Sequence, residues 1–376
     1  MSAHELSPGS TSRRAFLAAA VAGAAATTMN GVPAVAAART KPYKEAARID
    51  VHAHHLAPVY LDALKAAGIS AIGGIPIPEW TPELALKFMD AHGIAVQMLS
   101  VSDPGVGFVA DDAAAVKLAQ DVNDYAAGLV AAHSGRFGAF GVVPLRAPAA
   151  ATAEAVRALD ALKLDGVGVL SSARDHYLGD PVFDGLLGEL NRRRAWVFVH
   201  PTAITQKPAY QIPDFIAEYP FDTTRTIISL LFNDVFGRFP HIRWHFAHGG
   251  GVTPMLRFRL TTLAAAAKQF GKVLGLPDAA GVLNDKSVDR ALSRSWFDTA
   301  LIGEPPALTA VERMAGVERM LFGSDWPFAG RIYSDAVKDP QPGLSQTFNA
   351  AQRHKIDRRN ARTQLPRARK ATPSTP

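Results

Sequence analysis

Eight short apolar runs, separated by stretches with helical spacing, constrain the fold of this chain more than any other feature. The runs are apolar along most of their length, which is typical of strands in a parallel sheet that is buried on both faces. Eight alternating strand and helix units predict an α/β fold, a (β/α)8 TIM barrel, and a doubly wound open sheet is the alternative. The predicted strands are Ala47–His54, Ile94–Ser102, Phe137–Pro144, Gly166–Ser171, Ala195–Pro201, Ile242–Gly249, Trp296–Ala300 and Arg319–Trp326.

The segments between these runs predict helices and two longer loops. Apolar residues recur at helical spacing in Asp112–Ala132, Ala149–Leu162, Pro181–Arg193, Thr223–Phe236 and Pro306–Met314. Gly68–Trp80 and Pro201–Phe221 are instead rich in glycine or proline. Long loops after barrel strands usually shape the ligand pocket. We therefore expect both loops to cap a substrate site, although they could be plain surface insertions.

Four of the predicted strands end in side chains that bind metals. His52 and His54 are two residues apart, so both side chains of a strand would point to the same face. His200, His248 and Asp325 lie at the ends of three further strands. A barrel gathers the carboxyl ends of its strands on one face, where active sites lie. The sequence therefore predicts one metal site there, and because the chain has no cysteine its ligands must be nitrogen and oxygen.

Three other polar residues lie close to these strand ends. His245 is three residues from His248, so the two should lie on opposite faces of one strand. We expect His248 to point into the barrel and His245 to pack against a helix. His55 is expected to be structural for the same reason. Asp50 lies on the inward face and is expected to orient one of the ligand histidines.

Taken together, these motifs resemble those of the amidohydrolase superfamily. More narrowly, they resemble its branch of non-hydrolytic decarboxylases, typified by aminocarboxymuconate-semialdehyde decarboxylase, and within it the 6-methylsalicylate decarboxylase type. The resemblance covers residues 48–365. It rests on His52-x-His54, His200-Pro201, Ala247-His248-Gly249-Gly250-Gly251, Phe322-Gly323-Ser324-Asp325-Trp326-Pro327, Trp80-Thr81-Pro82-Glu83, Phe137-Gly138-x-Phe140, Tyr177-Leu178-Gly179-Asp180 and Phe221-Asp222-Thr223-Thr224-Arg225.

The resemblance implies a role for each site residue. One divalent metal would be held by His52, His54, His200 and Asp325, with zinc favoured and manganese the alternative. His248 and Asp325 would be the catalytic residues. An arginine after the glycine triplet reaches the neighbouring subunit's substrate carboxylate in this branch, and Arg259 stands at the matching position. A homodimer or a dimer of dimers is therefore expected.

The predicted function is the non-oxidative decarboxylation of an aromatic acid, such as an ortho-hydroxybenzoate, or of a related unsaturated acid. A metal can orient the carboxylate and a neighbouring hydroxyl, and Asp325 and His248 can move the required proton. The alternative is a metal-dependent hydrolase of a lactone, ester or amide, because the same site could activate water. A barrel that binds an aromatic acid without turning it over is the remaining possibility.

The two ends of the chain predict its location and exclude some partners. Ser12–Leu17 resembles a twin-arginine signal, and the apolar stretch after it is too short to span a bilayer. We expect residues 1–38 to be a signal peptide, 39–365 the barrel and 366–376 a disordered tail, in a periplasmic or extracellular protein without a stable membrane span. The eight Lys and Arg residues between 353 and 370 account for the positive net charge, so nucleic-acid binding is not expected.

Overall fold

The computed structural model describes residues 48–174, 176–203, 212–331, 339 and 341–369. The side chains of Arg331 and Arg369 are outside this description. The predicted signal peptide, residues 1–38, lies outside the described residues, as does the end of the tail from 370 onwards.

All eight predicted strands are present and parallel, and each pairs with the next along the chain. The strands are β1 (Arg48–His54), β2 (Ile94–Ser100), β3 (Phe137–Val142), β4 (Gly166–Leu170), β5 (Trp196–His200), β6 (Arg243–Phe246), β7 (Trp296–Asp298) and β8 (Met320–Leu321). All but β1 end earlier than predicted, and four of the strands begin one residue later than predicted.

Backbone hydrogen bonds join β1 to the segment that follows β8. The Val51 N–H donates to the Phe322 carbonyl at 2.9 Å, and the His54 N–H donates to the Trp326 carbonyl at 2.7 Å. The Asp325 N–H donates to the His52 carbonyl at 2.7 Å. The eight strands therefore form a nearly closed barrel, as predicted, and not an open sheet.

Helices follow most of the strands, and the described residues also contain two small hairpins. The helix predicted at Thr223–Phe236 ends at Phe232, because Asp234 adopts a left-handed conformation with φ of 51° that a helix cannot continue through. The hairpins pair Ala71–Ile72 with Ile75–Pro76 and Ser172–Ala173 with His176–Tyr177. The α-helices are Pro58–Ala66, Pro82–Ala91, Asp112–Ala132, Pro148–Asp160, Asp184–Arg192, Glu218–Phe232, Val235–Arg238, Thr253–Phe270, Asp285–Arg294, Pro305–Ala315, Pro342–Thr347, Ala350–His354, Asn360–Gln364 and Pro366–Arg369. Shorter 3-10 helices are Pro181–Phe183, His248–Gly250, Asp278–Val282, Val317–Arg319 and Phe328–Arg331, and Lys355–Arg359 is a π-helix.

The carboxyl-terminal segment is more ordered than predicted. Pro366–Arg369 form a helix, so the expected disordered tail cannot begin at 366. Ala368 is buried with the apolar residues at the base of the barrel, and Arg367 pairs with Asp165 at 2.8 Å. None of the helices in the described part of the chain is long and apolar enough to cross a membrane.

The two predicted cap loops contact each other over the mouth of the barrel. The first contains the hairpin Ala71–Pro76, and the described part of the second leads into the helix that begins at Glu218. The Phe215 N–H donates to the Gly73 carbonyl at 3.4 Å. Gly73 has φ of 58°, and a Cβ there would lie 2.7 Å from the Tyr219 hydroxyl oxygen. Only glycine allows this approach of the hairpin to the ring.

Candidate active site

The structure brings the side chains of His52, His54, His200, His248 and Asp325 together at the carboxyl end of the barrel, and all five are buried. His52 Nε2 lies 3.2 Å from His54 Nε2 and 3.4 Å from Asp325 Oδ1. His54 Nε2 lies 3.0 Å from Asp325 Oδ1. The His200 ring centroid is 4.9 Å from that of His54 and 5.3 Å from that of His52. Strands β1 and β5, with the segments that follow β6 and β8, thus direct these groups at one point.

Three of the histidines are fixed through the nitrogen that faces away from this point. His52 Nδ1 lies 3.0 Å from Asp298 Oδ2, and His54 Nδ1 lies 3.1 Å from Ser100 Oγ. His200 Nδ1 donates to the Pro201 carbonyl at 2.8 Å. Metal-binding histidines are commonly held in this way, which leaves Nε2 as the ligand atom.

The donor set fits a divalent metal. Bonds of ~2.0–2.2 Å would set neighbouring ligand atoms roughly 3.0–3.4 Å apart, which matches the separations among His52, His54 and Asp325. Imidazole nitrogen with carboxylate oxygen suits zinc and manganese alike. The ligand atoms of His52, His200, His248 and Asp325 also lie within 4.8 Å of one another. His54 and His248 are therefore rival candidates for one ligand position.

The surroundings of the two rivals differ. His54 is held by Ser100, whereas His248 Nδ1 is buried without a hydrogen-bond partner among the described residues. His248 Nε2 is 3.4 Å from Asp325 Oδ2, so it contacts the carboxylate that the other histidines also contact. Metal-binding histidines are normally held through their second ring nitrogen, and the contact with Ser100 is consistent with His54 as a ligand. The separate roles of His54 and His248 remain a prediction from the resemblance.

Asp298, at the end of β7, is a site residue that the sequence interpretation missed. Its Oδ2 lies 3.0 Å from both His52 Nδ1 and His245 Nε2. Its Oδ1 accepts from the N–H of His248 at 3.0 Å and of Ala300 at 3.1 Å. Asp298 thus orients one predicted ligand and fixes the backbone of His248. The signal was available, because Asp298 is an acid inside an apolar run, as Asp325 is.

Two predictions about neighbouring residues are wrong. His245 does not pack against a helix: it points into the barrel, where its ring lies 4.7 Å from Phe198. The alternation rule failed because β6 ends at Phe246, and His248 lies in a turn with φ of 53°. Among the described residues, Asp50 forms no hydrogen bond with a histidine ring. It accepts from the backbone N–H groups of His52 and Ser324 at 3.2 and 3.0 Å.

The electrostatics of the cluster favour a bound cation. Burial, with the neighbouring imidazoles, holds the pKa of His200 well below its usual range. Burial would also lower the pKa of His52, but the carboxylates of Asp298 and Asp325 outweigh it and raise that pKa to about 10. Burial acts against ionisation of Asp325, yet His52 and the hydrogen-bonding imidazoles hold its pKa well below its usual range. Burial also opposes ionisation of Asp298, but His52 and His245 hold its pKa well below its usual range. Both buried carboxylates therefore stay ionised and attract positive charge.

A cavity of about 280 Å³ lies against the cluster, and its wall includes Asp325 and His200. Ile72 and Ile75 of the first cap loop line it, as does Tyr219 at the end of the second. The Tyr219 hydroxyl donates to Asp103 at 2.9 Å, which fixes the ring. This volume is just below the usual range of ligand pockets, which suits a molecule as small as a single ring.

Arg259 is not brought to this site by its own chain. It is exposed on the helix Thr253–Phe270 and lines neither the small cavity nor the larger one beside it. Its neighbours Met255 and Phe258 are 76% and 80% exposed. Large exposed apolar side chains next to a cation mark this face as a candidate contact with another molecule.

Comparison with known proteins assigns a family and a class of enzyme. A family model described as amidohydrolase matches residues 49–367. The decarboxylase yanB of Aspergillus niger is 34% identical over 299 residues, which cover 75% of this chain and 77% of that protein. The 6-methylsalicylic acid decarboxylase acuB of Aspergillus aculeatus is 34% identical over 289 residues, covering 76% of this chain and 85% of that protein. These relatives confirm the prediction of a carboxy-lyase.

Solved structures agree on the fold. The crystal structure of a protein named amidohydrolase II has a TM-score of 0.72 at 27% identity, over 84% of this chain and 98% of that one. The 5-carboxyvanillate decarboxylase of Novosphingobium aromaticivorans has a TM-score of 0.68 at 19% identity, over 84% of this chain and 95% of that one. The latter was solved with manganese and 4-hydroxy-3-methoxy-5-nitrobenzoic acid.

Proposed function

This chain belongs to the amidohydrolase family, and from that premise we propose that it is a metal-dependent, non-oxidative decarboxylase of an ortho-hydroxybenzoate-like acid. One observation carries the proposal. Asp325 is at once a member of the buried histidine cluster and part of the wall of a ring-sized cavity. A substrate ring in this cavity would therefore lie against both the metal ligands and a group able to move a proton.

We propose His52, His54, His200 and Asp325 as the residues that hold the metal. When bound, a divalent ion supplies a Lewis acid that can orient the substrate carboxylate and the neighbouring hydroxyl. Zinc is favoured for a site of three imidazoles and one carboxylate. Manganese is the alternative, since the 5-carboxyvanillate decarboxylase was solved with it. Elemental analysis of the purified protein distinguishes the two.

The chain's own residues carry the proton. An aryl carboxylate loses carbon dioxide readily only after the ring carbon that bears it has been protonated. Asp325 is ionised in the resting site, so it needs a proton source, and His248 Nε2 lies 3.4 Å from its Oδ2. An imidazole can exchange protons at neutral pH. His248 would pass a proton through Asp325 to the ring carbon. The bond to the carboxylate then breaks and its electron pair restores the aromatic ring.

The test is a screen for carbon dioxide release over a set of 2-hydroxybenzoates, with metal-loaded and chelator-treated protein side by side. We expect metal-dependent release with the matching phenol as the second product. Formation of an acid from a lactone, ester or amide, without carbon dioxide, would support a hydrolase instead. Binding of the acids without any turnover would support a non-enzymatic aromatic-acid binder. Either outcome would overturn the decarboxylase proposal.

We propose a homodimer, or a dimer of dimers, in which Arg259 serves the partner's site. Its exposure beside Met255 and Phe258 supports a protein contact, and a guanidinium can pair with a carboxylate through two hydrogen bonds. Arg259→Ala should keep its metal and bind substrate poorly. Mixing it with His52→Ala, after subunit exchange has been verified, should restore activity in mixed dimers. Exchange without restored activity would contradict the role of Arg259.

We propose that the protein is exported through a twin-arginine signal in residues 1–38. Arg13 and Arg14, the apolar stretch after them and Ala36–Ala38 support this proposal. Such a route would place the enzyme in the periplasm or outside the cell. Replacing both arginines by lysine should keep the full-length chain in the cytoplasm, as measured by cell fractionation. Unchanged distribution of the variant would argue against it.

A further inference from the structure

A second and larger cavity lies on the other side of His200. It has a volume of about 700 Å³ and opens over the carboxyl ends of β2 to β5. His200 is part of the wall of both cavities. A molecule bound against Asp325 and His200 in the small cavity therefore lies next to a side chain that also lines the larger one. A single-ring acid would fill only the small cavity, and nothing in the proposed reaction uses the second volume.

The inner wall of the larger cavity is apolar. Val101, Val142, Val169, Leu170 and Phe198 line it. Two polar residues of the wall are already engaged: Arg146 donates to the carbonyls of Gly107 at 2.9 Å and Val109 at 3.1 Å, and the Thr202 hydroxyl bonds to Asp103. Arg174 and Arg225 are exposed residues. Arg146 Nε is buried without a hydrogen bond among the described residues, so the wall is not wholly satisfied. The apolar residues of the inner wall favour an apolar ligand part at that side of the cavity.

The geometry points to a substrate with two parts, and this inference rests on the proposed decarboxylase function. We propose that the hydroxybenzoate ring binds beside Asp325 and that an apolar substituent of several carbons extends past His200 into the larger cavity. The preferred substrate class is then a 2-hydroxybenzoate with a long alkyl or aryl side chain. Each methylene that leaves water for the cavity wall should raise kcat/KM about threefold to fourfold.

Gly168 of β4 offers a way to fill the cavity without disturbing the barrel. It lines the cavity, and a Cβ there would lie 3.7 Å from the Phe140 Cβ and 3.9 Å from the Ser100 Cβ, which are ordinary contacts. Gly168→Val should therefore fold and occupy part of the space. Gly185→Val is the matched control. Gly185 lies on a helix surface, where a Cβ would meet only Thr152 Oγ1 at 3.9 Å.

The experiment compares 2-hydroxybenzoates with methyl, propyl, pentyl and heptyl groups, in one series at ring position 6 and another at position 4. In at least one series kcat/KM should rise at least tenfold from methyl to pentyl. Gly168→Val should reduce that pentyl-to-methyl ratio at least tenfold, and Gly185→Val should leave it unchanged. A flat or falling profile in both series, with the methyl acids turned over, would overturn the inference and leave the decarboxylase function intact.

A binding measurement separates the two proposals further. Calorimetric titration of metal-free protein with 3-alkylphenols measures binding to the cavity without any turnover. We expect affinity to rise with chain length in the wild type and in Gly185→Val, and to rise much less in Gly168→Val. If no acid of either series is decarboxylated, the proposed function fails. The phenol titrations then still test, on their own, whether the larger cavity binds an apolar chain. Affinity that is independent of chain length would refute an apolar-chain site.

Discussion

Replacing Asp298 by asparagine should weaken metal binding although Asp298 is not a proposed ligand. Asp298 Oδ2 lies 3.0 Å from His52 Nδ1 and from His245 Nε2, and Oδ1 accepts two backbone N–H groups. Asparagine keeps the shape but presents an NH2 group in place of one oxygen. His52 Nδ1 must then accept a hydrogen bond, which moves its proton to Nε2. A protonated Nε2 cannot bind a metal.

The size of the effect can be estimated from these contacts. Removal of a hydrogen bond that orients a ligand histidine typically reduces metal affinity ~10- to 100-fold, or ~1.4–2.7 kcal/mol. Alanine is a poorer test, because it would leave four hydrogen-bonding groups without their acceptor at ~1–3 kcal/mol each. That total approaches the ~5–15 kcal/mol by which whole proteins are stable. Asparagine retains one acceptor and should fold.

The assay is competition for the metal against a chromophoric chelator, with thermal unfolding of each metal-free protein measured in parallel. Asp50→Asn is the matched control. Asp50 is also a buried acid near β1, but it contacts only the backbone of His52, together with Ser324 and Gln97. We expect its metal affinity to change less than about threefold, well under the loss for a ligand orienter. A folded Asp298→Asn protein with wild-type metal affinity would refute the orienting role.

Three further predictions concern other histidines and Asp325. His52→Ala, His200→Ala and Asp325→Ala should each lose bound metal and activity by elemental analysis and turnover assay; normal metal content in all three would reject the ligand assignment. His248→Ala should keep its metal and lose ~100- to 10,000-fold in turnover, and a near wild-type rate would leave it only structural. Burial lowers the pKa of His55 to about 3, and the neighbouring His54 contributes a smaller part of this shift. As the pH falls below ~6.5, His55 takes up a proton in the unfolded chain before it does so in the folded protein. The free energy of unfolding therefore decreases as the pH falls below that value. In denaturant titrations, His55→Phe should lose less stability than the wild type between pH 7.5 and 5. Equal losses in the two proteins would contradict this.

The arrangement of the barrel and most of the site could be predicted because they follow from local patterns. Apolar runs bounded by helical stretches identify all eight strands, and the two-residue spacing of His52 and His54 places both on one face. These features depend on a few neighbouring residues. The strand ends, by contrast, depend on backbone turns such as the one at His248, which no alternation rule anticipates.

What could not be predicted depends on contacts between distant parts of the chain. The partner of His52 is Asp298, 246 positions away, and the sequence alone gives no reason to pair them. The large cavity beside His200 arises from four strand ends together. The carboxyl-terminal helix packs on the base of the barrel through Ala368 and Arg367, whereas a disordered tail was expected from 366 onwards.

The hydrogen bonds that join β1 to the segment after β8 also bring the first and last strands of the barrel together at the proposed metal site. His54 and Asp325, 271 positions apart, lie 3.0 Å from each other across this junction. A ribosome must therefore synthesise nearly the whole barrel before the last ligand exists, and a chain that stops before 325 lacks the carboxylate that the imidazoles surround. Copies truncated before Asp325 are therefore expected to lack the proposed metal, so the metal content of a preparation would report how much of it is full-length.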